Sequence, residues 1–144
     1  MFSDIELKFL AEQTLARIGT VSSTGQPDVA PVGFEFDGEY FYVGGMHMLT
    51  TRKYKNVRAG RRKVALAFDD LASAGPWKPR GIRVHGTGDI VEREGRFGRA
   101  KYIRVRPRIS WSWGLEGLPM EQGQVMHKTV HGSPGGNPDP KSLS

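Results

Sequence analysis

The sequence predicts a mainly β protein, an antiparallel barrel of six or so strands with two or three short helices. Runs of β-branched and aromatic residues recur between short polar turns, and they alternate apolar with polar positions as half-buried strands do. Asp37-Gly38 is a typical tight hairpin turn between two such runs. Neither a glycine-rich dinucleotide fingerprint nor strand–helix alternation is present, so a barrel is favoured over a Rossmann domain.

The first half of the chain is predicted to begin with a helix and to continue as two hairpins. Ser3 and Glu6 have capping-box spacing, and apolar residues recur at near-helical intervals, so an amphipathic helix is expected from Ser3 to Ala16. Strands are expected over residues 17–22, 27–36 and 39–44. Thr50 or Thr51, both good N-cap residues, is expected to begin a second short helix.

Three further strands are predicted in the second half, over residues 63–69, 81–92 and 106–113. Gly86 and Gly88, within the longest of them, indicate a β-bulge or a sharp bend. The stretch 72–79, which contains two prolines and a glycine, is predicted to be a loop. Residues 97–103 are predicted to form a short helix.

The composition changes near the end of the chain. Residues 132–144 are rich in glycine and proline and have almost nothing to bury. The chain has 144 residues, and the part that precedes this stretch is long enough for one hydrophobic core. We therefore expect one barrel domain over residues 1–116 and a Gly/Pro-rich tail over 117–144.

The composition also excludes several kinds of chemistry. The absence of cysteine excludes disulfides, thiol nucleophiles and cysteine-ligated metals. No apolar run approaches the roughly 18 residues of a membrane span, so we expect a soluble, cytoplasmic protein with no membrane partner. Neither a G-x-S-x-G elbow nor a Walker phosphate loop occurs, and no acid–base pair of carboxylates stands out. An enzyme of this composition would need a cofactor for its chemistry.

The charge distribution indicates an anionic ligand. The formal net charge is +6 and the isoelectric point is near 9.8. Residues 52–63 hold seven Lys or Arg and no acid, and residues 96–108 hold six more, again without an acid. Solvated basic faces are the alternative interpretation of each cluster.

A candidate phosphate site lies at the start of the second predicted helix and consists of Thr50, Thr51, Arg52 and Lys53. Arg52 and Lys53 lie in the first turn of the predicted helix, where cations oppose the helix dipole. Free backbone N–H groups, hydroxyls and two cations at one point suit a bound phosphate. An ordinary cationic helix start is the alternative, and Asn56 either supports the site or faces water.

Aromatic and histidine residues leave further alternatives open. Trp77, which lies in the predicted loop between two prolines, stacks on a ring, seals a subunit interface or fills the core. His85, in the middle of a strand, is expected to be a core residue. His127 and His131 have i, i+4 spacing but lack the glutamate of the zinc-protease pattern, so no metal site is expected.

A set of short motifs occurs in a defined order along the chain. The motifs are Ile18-Gly19-Thr20-Val21, Thr24-Gly25, Pro27-Asp28-Val29-Ala30-Pro31-Val32, Asp37-Gly38, Phe41-Tyr42-Val43, Thr51-Arg52-Lys53, Asn56-Val57-Arg58, Lys63-Val64-Ala65-Leu66 and Gly86-Thr87-Gly88. Their order and spacing resemble the pyridoxamine 5′-phosphate oxidase-like family of flavin- and deazaflavin-binding split barrels, over about residues 5–115. The resemblance implies a split β-barrel with Greek-key-like antiparallel strands. It also implies a homodimer with the cofactor in two equivalent clefts between subunits.

The resemblance assigns roles to the matching positions. Arg52 and Lys53 would hold the cofactor phosphate, and Thr51 would add its hydroxyl. Trp77 and Lys78 would reach the site from the second subunit. Pro31, Val32 and Gly33 would line the cofactor ring. Residues 42–44 would supply backbone contacts beside it. The predicted cofactor-binding set is Pro31, Val32, Gly33, Tyr42, Val43, Gly44, Thr50, Thr51, Arg52, Lys53, Asn56, Trp77 and Lys78.

One departure from the family pattern bears on the activity. True pyridoxamine phosphate oxidases follow a tryptophan-bearing strand with an arginine–histidine substrate motif, which residues 115–119 lack. This argues against the vitamin B6 reaction, and the short basic chain is similar to the branch that uses the deazaflavin coenzyme F420. We therefore expect an F420-dependent oxidoreductase that transfers hydride between the cofactor and a small organic substrate.

Three alternatives remain from the sequence. FMN is also anionic and suits the same fold, so an FMN-dependent oxidoreductase is the first. A non-catalytic flavin- or deazaflavin-binding protein is the second. Nucleic-acid binding is less favoured, because the aromatic residues occupy alternating, core-like positions and do not follow a basic face. No residue identifies the substrate.

Overall fold

Two short helices and eight strands make up the described part of the chain. The computed structural model describes residues 1–118 and 126–132. A 3-10 turn at Met48–Thr50 precedes the second helix, and no helix within these residues is long and apolar enough to cross a membrane. In chain order the elements are α1 (Asp4–Glu12), β1 (Leu15–Val21), β2 (Pro27–Gly33), β3 (Glu35–Phe36), β4 (Phe41–Val43), α2 (Arg52–Arg58), β5 (Lys63–Ala74), β6 (Trp77–Gly95), β7 (Gly98–Trp113) and β8 (His127–Val130).

The eight strands form one antiparallel sheet that does not close on itself. The strand order is β2-β1-β5-β6-β7-β4-β3, and β8 pairs with the last residues of β7. Consecutive β5, β6 and β7 lie side by side, whereas long-range pairing places β1 beside β5 and β4 beside β7. The mainly β, split-barrel prediction is confirmed, with eight described strands in place of the expected six or so.

Alternate residues of the long strands form the core on one face of the sheet. In β5 the buried side chains are Val64, Leu66 and Phe68. Phe34 and Phe41 pack against Phe68 at centroid distances of 4.8 and 5.1 Å. Because β4 and β5 are not neighbours in the sheet, these contacts require the sheet to curl around the core.

The start of α1 confirms the predicted capping box. The Glu6 N–H donates to Ser3 Oγ at 3.2 Å, and the Ser3 N–H donates to Glu6 Oε1 at 2.9 Å. The helix ends at Glu12, however, and the predicted extension to Ala16 is wrong. Ala16 is fully buried and pairs with Val32, so strand pairing between β1 and β2 overrides the local helical pattern.

The predicted loop over residues 72–79 is a tight hairpin in the structure. β5 continues to Ala74 and β6 begins at Trp77, and these two residues face each other. Across the same hairpin, the Arg80 Nε and Nη2 atoms donate to the Asp70 carboxylate at 2.8 and 2.6 Å. This two-point ion pair stabilises the strands beyond the ends that the sequence predicted.

The predicted helix over residues 97–103 is also wrong, because this segment forms the turn into β7 and its first residues. Arg99 and Lys101 are exposed on alternate positions, whereas Tyr102 is buried. The Tyr102 hydroxyl accepts from the Phe97 N–H at 3.0 Å and donates to the Gly98 carbonyl oxygen at 3.1 Å. Pairing with β6 and these two hydrogen bonds fix the extended conformation.

A strand near the C-terminus, β8, lies within the predicted tail. It pairs with residues 109–112 of β7, so the sheet extends past the predicted domain end at residue 116. The His131 N–H then donates to the Arg108 carbonyl oxygen at 2.8 Å, and His131 Nε2 lies 2.8 Å from Ser110 Oγ. The rest of the predicted tail, residues 119–125 and 133–144, lies outside the described residues.

We expect acid to destabilise the protein through His131. Its ring is buried against Phe2 at a centroid distance of 4.5 Å, and burial, followed by the charge of the N-terminal amine, lowers its pKa from 6.5 to about 4. The unfolded chain therefore takes up a proton before the folded protein does as the pH falls. The free energy of unfolding therefore decreases as the pH falls from 6.5 to about 4, and His131 contributes roughly 3 kcal/mol to this decrease.

Urea unfolding of the parent and of His131→Gln at about pH 7 and about pH 4.5 measures this contribution. The variant should lose less stability than the parent between the two pH values, because glutamine does not titrate. His47→Gln, which changes an exposed loop residue, is the matched control and should behave as the parent. Equal losses in the parent and His131→Gln would exclude His131 as the acid-sensitive group.

Candidate functional site

A cavity of about 710 Å³ opens largely on the face of the sheet opposite the core. Its walls come from β1, β2, β5, β6 and β7 and from the segment that precedes β5. A volume of this size is typical of sites that enclose a small organic ligand. The lining residues are Gly19, Thr20, Val21, Pro27, Asp28, Val29, Arg62, Lys63, Val64, Ala65, His85, Gly86, Thr87, Arg108 and Ile109.

The floor of the cavity is a row of paired residues with small side chains at its centre. Gly19 pairs with Val29 on one side and with Ala65 on the other, and Ala65 pairs with His85. A Cβ atom added at Gly19 would lie 3.8 Å from the Ala65 Cβ, which is an ordinary contact. Glycine is therefore not required by the backbone here, and its effect is to leave space above the sheet.

A β-bulge brings two consecutive residues of β7 into the same cavity. His85 pairs with Ile109 and Gly86 pairs with Pro107, which leaves Arg108 as the extra residue between the two pairs. Arg108 and Ile109 both line the cavity, although neighbouring residues of a regular strand point to opposite faces. The bulge predicted in this part of β6 is confirmed.

One wall of the cavity is basic. Arg62, Lys63 and Arg108 contribute to the lining, and Asp28 is the one acid in it. Arg62 is paired outside the lining with Asp89, at 2.6 Å between Nη2 and Oδ1. A positive wall in a partly enclosed space favours anionic ligands, since low-dielectric surroundings strengthen the field of its charges.

His85 belongs to the cavity wall, so its predicted position in the core is wrong. It alternates along β6 with buried Val84 and therefore points to the opposite face. Its ring packs edge-on against Trp111 at 4.8 Å, and the Arg83 guanidinium lies 4.5 Å from the centroid of the same indole. Desolvation, followed by the charge of Arg83, lowers the pKa of His85, which favours the neutral form of its ring. The alternation of apolar and polar residues along β6 was the sequence signal that could have placed His85 on this face.

The predicted helix start at Thr51 is confirmed. Its Oγ1 accepts from the Tyr54 N–H at 3.3 Å and donates to the Met48 carbonyl oxygen at 2.6 Å. The Thr50 hydroxyl donates to the His47 carbonyl oxygen at 2.9 Å. Both hydroxyl protons are thus engaged within the chain, which leaves the cations of the first turn as the available anion-binding groups.

Two contacts join α2 to the cavity. Buried Asn56 donates through Nδ2 to Thr20 Oγ1 at 3.0 Å. Lys53 is half-buried, and desolvation lowers its pKa while the charge of Asp28 acts in the opposite direction. Thr20 and Asp28 line the cavity. Lys53 and Asn56 therefore lie beside the cavity without lining it, and Arg52 is exposed on the same helix.

The residues predicted beside the cofactor ring differ in accessibility. Val32 and Val43 are buried in the core, so only their backbone groups are available. Pro31 is exposed on β2, opposite Arg17 of β1. None of these residues lines the large cavity. Three other predicted residues line a small separate cleft: Gly33, Tyr42 and Gly44.

Trp77 and Lys78 lie at the tip of the β5–β6 hairpin. Trp77 is 69% exposed, which excludes the core-filling alternative. Lys78 is exposed as well and faces Ser73 across the hairpin. Neither residue lines the cavity of its own chain.

The two C-terminal histidines are not placed as a metal pair. His127 lies in β8 and His131 directly follows it, so four residues of extended chain separate them by roughly 13 Å. Within residues 1–118 and 126–132, no group of three or more His, Asp or Glu side chains could hold a metal ion.

An open antiparallel sheet with this strand order and a large cavity on one face has the architecture of a split barrel. The family model described as pyridoxamine 5′-phosphate oxidase matches residues 5–129, so the chain belongs to that family. The 5a,11a-dehydrotetracycline/5a,11a-dehydrooxytetracycline reductase of Streptomyces rimosus is 34% identical over 122 residues, covering 81% of this chain and 85% of that protein. This relative supports an oxidoreductase-type function.

Solved structures with the same fold include both a reductase and a storage protein. A structure described as an F420 reductase superposes with a TM-score of 0.58 at 23% identity, covering 76% of this chain and 98% of that one. The heme storage protein HutZ of Vibrio cholerae superposes with a TM-score of 0.58 at 18% identity, covering 90% and 95%. At these identities the likeness shows the fold alone.

Proposed function

We propose that the protein is an oxidoreductase that binds a flavin or deazaflavin in the large cavity, and that coenzyme F420 is its cofactor. The observation that carries the proposal is the cavity itself, about 710 Å³ with a small-residue floor and a basic wall. The reductase relative at 34% identity supports the oxidoreductase class. The substrate is a small conjugated organic molecule in this proposal, since the relative is named for the reduction of such compounds.

The shape of the floor supports a flat aromatic ligand. Gly19 and Ala65 occupy the centre of the row, and the larger Val29 and His85 bound it at either side. A planar fused ring can lie on such a surface with little void, and burial of its faces supplies binding free energy. The rigid strands beneath it would fix the ring orientation, which is the protein's main contribution to hydride transfer.

Cations at two places beside the cavity support an anionic cofactor. Arg52 and Lys53 lie at the start of α2, and Lys53 is partly desolvated next to Asp28. Lys63 lines the cavity beside Arg62, whose charge Asp89 partly compensates. F420 carries a phosphate and an anionic oligoglutamate tail, so it offers an anion to each place, whereas FMN offers only its phosphate.

The bound cofactor would supply the hydride, and the chain would bind, orient and shield the cofactor.

We also propose a homodimer in which the second subunit covers the cavity. Exposed apolar side chains favour such an interface: Val29 is 71%, Val130 40% and Trp77 69% exposed. In that arrangement Trp77 and Lys78 of the second subunit would complete the site. Sedimentation should give twice the 16.0 kDa chain mass, and a monomer would contradict the arrangement.

The deciding experiment is a titration of the purified protein with F420 and with FMN, followed by tryptophan fluorescence. Trp111 contacts His85 of the cavity wall and provides the signal. Tighter binding of F420, followed by turnover of 5a,11a-dehydrotetracycline with the reduced cofactor, is the expected result. Tighter binding of FMN would indicate that the protein is an FMN-dependent oxidoreductase. Binding without turnover of any acceptor would favour a non-catalytic carrier, and binding of neither would refute the proposal.

Replacing Arg52 and Lys53 together with Ala should weaken cofactor binding much more than folding. Each charge-assisted contact to the phosphate should contribute roughly 1.5–3 kcal/mol of binding free energy. Lys55→Ala/Arg58→Ala, which removes two exposed cations from the same helix, is the control and should bind nearly as the parent. Fluorescence titration and urea unfolding measure the two effects, and unchanged affinity would show that the phosphate lies elsewhere.

Replacing Gly19 with Val should block the cavity while leaving the fold intact. The added Cβ makes only ordinary contacts with Ala65, and valine favours a strand, so the free energy of unfolding should change little. The branched side chain would occupy the space above the floor and lower the affinity for the cofactor about tenfold or more. Gly45→Ala, with nothing near its added Cβ, is the control. Full affinity in Gly19→Val would remove this cavity as the cofactor site.

A further inference from the structure

Arg108 is held in the cavity by contacts that leave its charge uncompensated. The β-bulge opposite His85 directs it to the cavity, and its Nε donates to Thr87 Oγ1 at 3.1 Å. The His131 N–H donates to its carbonyl oxygen at 2.8 Å, which fixes the backbone. Within the described residues, no carboxylate lies within ion-pair distance of Arg108, and its two Nη groups make no hydrogen bond.

Two other arginines of the sheet, Arg80 and Arg93, differ in this respect. Arg80 is paired with Asp70 at 2.6 Å, and Arg93 is paired with Glu35 at 3.0 Å. A threonine hydroxyl orients the Arg108 guanidinium without neutralising it. The two Nη groups of a guanidinium form a planar fork that matches the two oxygens of a carboxylate, or one oxyanion approached from both sides.

A second polar group, the His85 ring, lines the same cavity. His85 pairs with Ile109, the residue that follows Arg108, and its ring is held edge-on against Trp111 at 4.8 Å. Desolvation, followed by the charge of Arg83, lowers the pKa of His85 and favours the neutral imidazole, in which one ring nitrogen still donates a hydrogen bond.

We propose that Arg108 and His85 form an oxyanion receptor for the acceptor substrate, and that the acceptor is a conjugated molecule bearing a carboxylate or enolate oxygen. The proposal rests on the proposed oxidoreductase function. When a conjugated carbonyl compound accepts hydride at its β-carbon, the electron pair of the double bond moves toward the oxygen and gives an enolate. The enolate oxygen would lie against Arg108, and water would then protonate the α-carbon, so that one hydride and one proton are added in total.

The test uses benzoate as a planar carboxylate probe and benzamide as its neutral counterpart. Binding of each to the full-length, isotope-labelled protein is followed by NMR, once without cofactor and once with the cofactor that the titration identifies. Benzoate should bind at least about tenfold more tightly than benzamide and should shift the Arg108 Nε–H and His85 ring signals. Arg108→Gln should abolish the preference, and Arg108→Lys, which keeps the charge but loses the fork, should reduce it.

Arg99→Gln is the matched control, since it removes an equal charge from an exposed position of the same strand. It should keep the full preference for benzoate. Equal affinities for the two probes, a preference that survives in Arg108→Gln, or shifts that bypass Arg108 would each overturn the receptor. Loss of benzoate binding on saturation with cofactor would also overturn it, because Arg108 would then serve the cofactor.

Failure of the receptor and failure of the proposed function give different results. If neither F420 nor FMN binds, the function fails whatever the probes do. If cofactor binds and benzoate shows no preference, the function stands and the receptor is wrong. In turnover assays the receptor additionally requires that Arg108→Lys raise KM for an anionic acceptor about tenfold, with the cofactor affinity unchanged.

Discussion

The alternation of side chains along β5, β6 and β7 is the constraint on which both the core and the cavity depend. Successive residues of a strand point to opposite faces, so Leu66 enters the core while Lys63 and Ala65 face the cavity. The strands that carry the hydrophobic core therefore also carry the candidate site, and the packing of the core holds the cavity floor in place. A slip of one residue would exchange the two faces, and the extensive pairing of β5 with β6 and of β6 with β7 opposes it.

The bulge between β6 and β7 interrupts this alternation at one place and so adds Arg108 to the basic wall of the cavity. A Cβ atom at Gly86 would lie 2.6 Å from the Arg106 carbonyl oxygen, so only glycine lets β7 approach this closely. The extra residue on the β7 side is Arg108. Its carbonyl oxygen accepts a hydrogen bond from the N–H of His131, the residue that directly follows β8. A C-terminal strand with little core of its own thus helps to position a cavity residue.

Features that depend on near neighbours in the chain were predictable from sequence, and those that depend on distant partners were not. The capping box of Ser3 and Glu6 and the N-cap at Thr51 use residues three positions apart. By contrast, buried Glu6 also accepts a hydrogen bond from Ser112, more than one hundred residues away, which no local pattern indicates. The extended conformation of residues 97–103 and the strand β8 likewise follow from pairing partners. The cavity needs five strands in register, and none of the predicted cofactor-binding residues lines it. Its basic side chains Arg62, Lys63 and Arg108 do belong to the two basic clusters of the sequence.

The partners of the arginines explain why the excess of positive charge matters at the cavity more than elsewhere. Arg80 and Arg93 each have a carboxylate within 3.0 Å, so their charges stabilise strand pairing and exert little field at a distance. Arg108 has Thr87 as its partner, and a hydroxyl fixes the direction of a guanidinium without cancelling its charge. Holding an uncompensated cation in a partly enclosed cavity costs free energy, which an anionic ligand recovers on binding. The neutral partner of Arg108 therefore leaves this strand residue prepared for an anionic ligand.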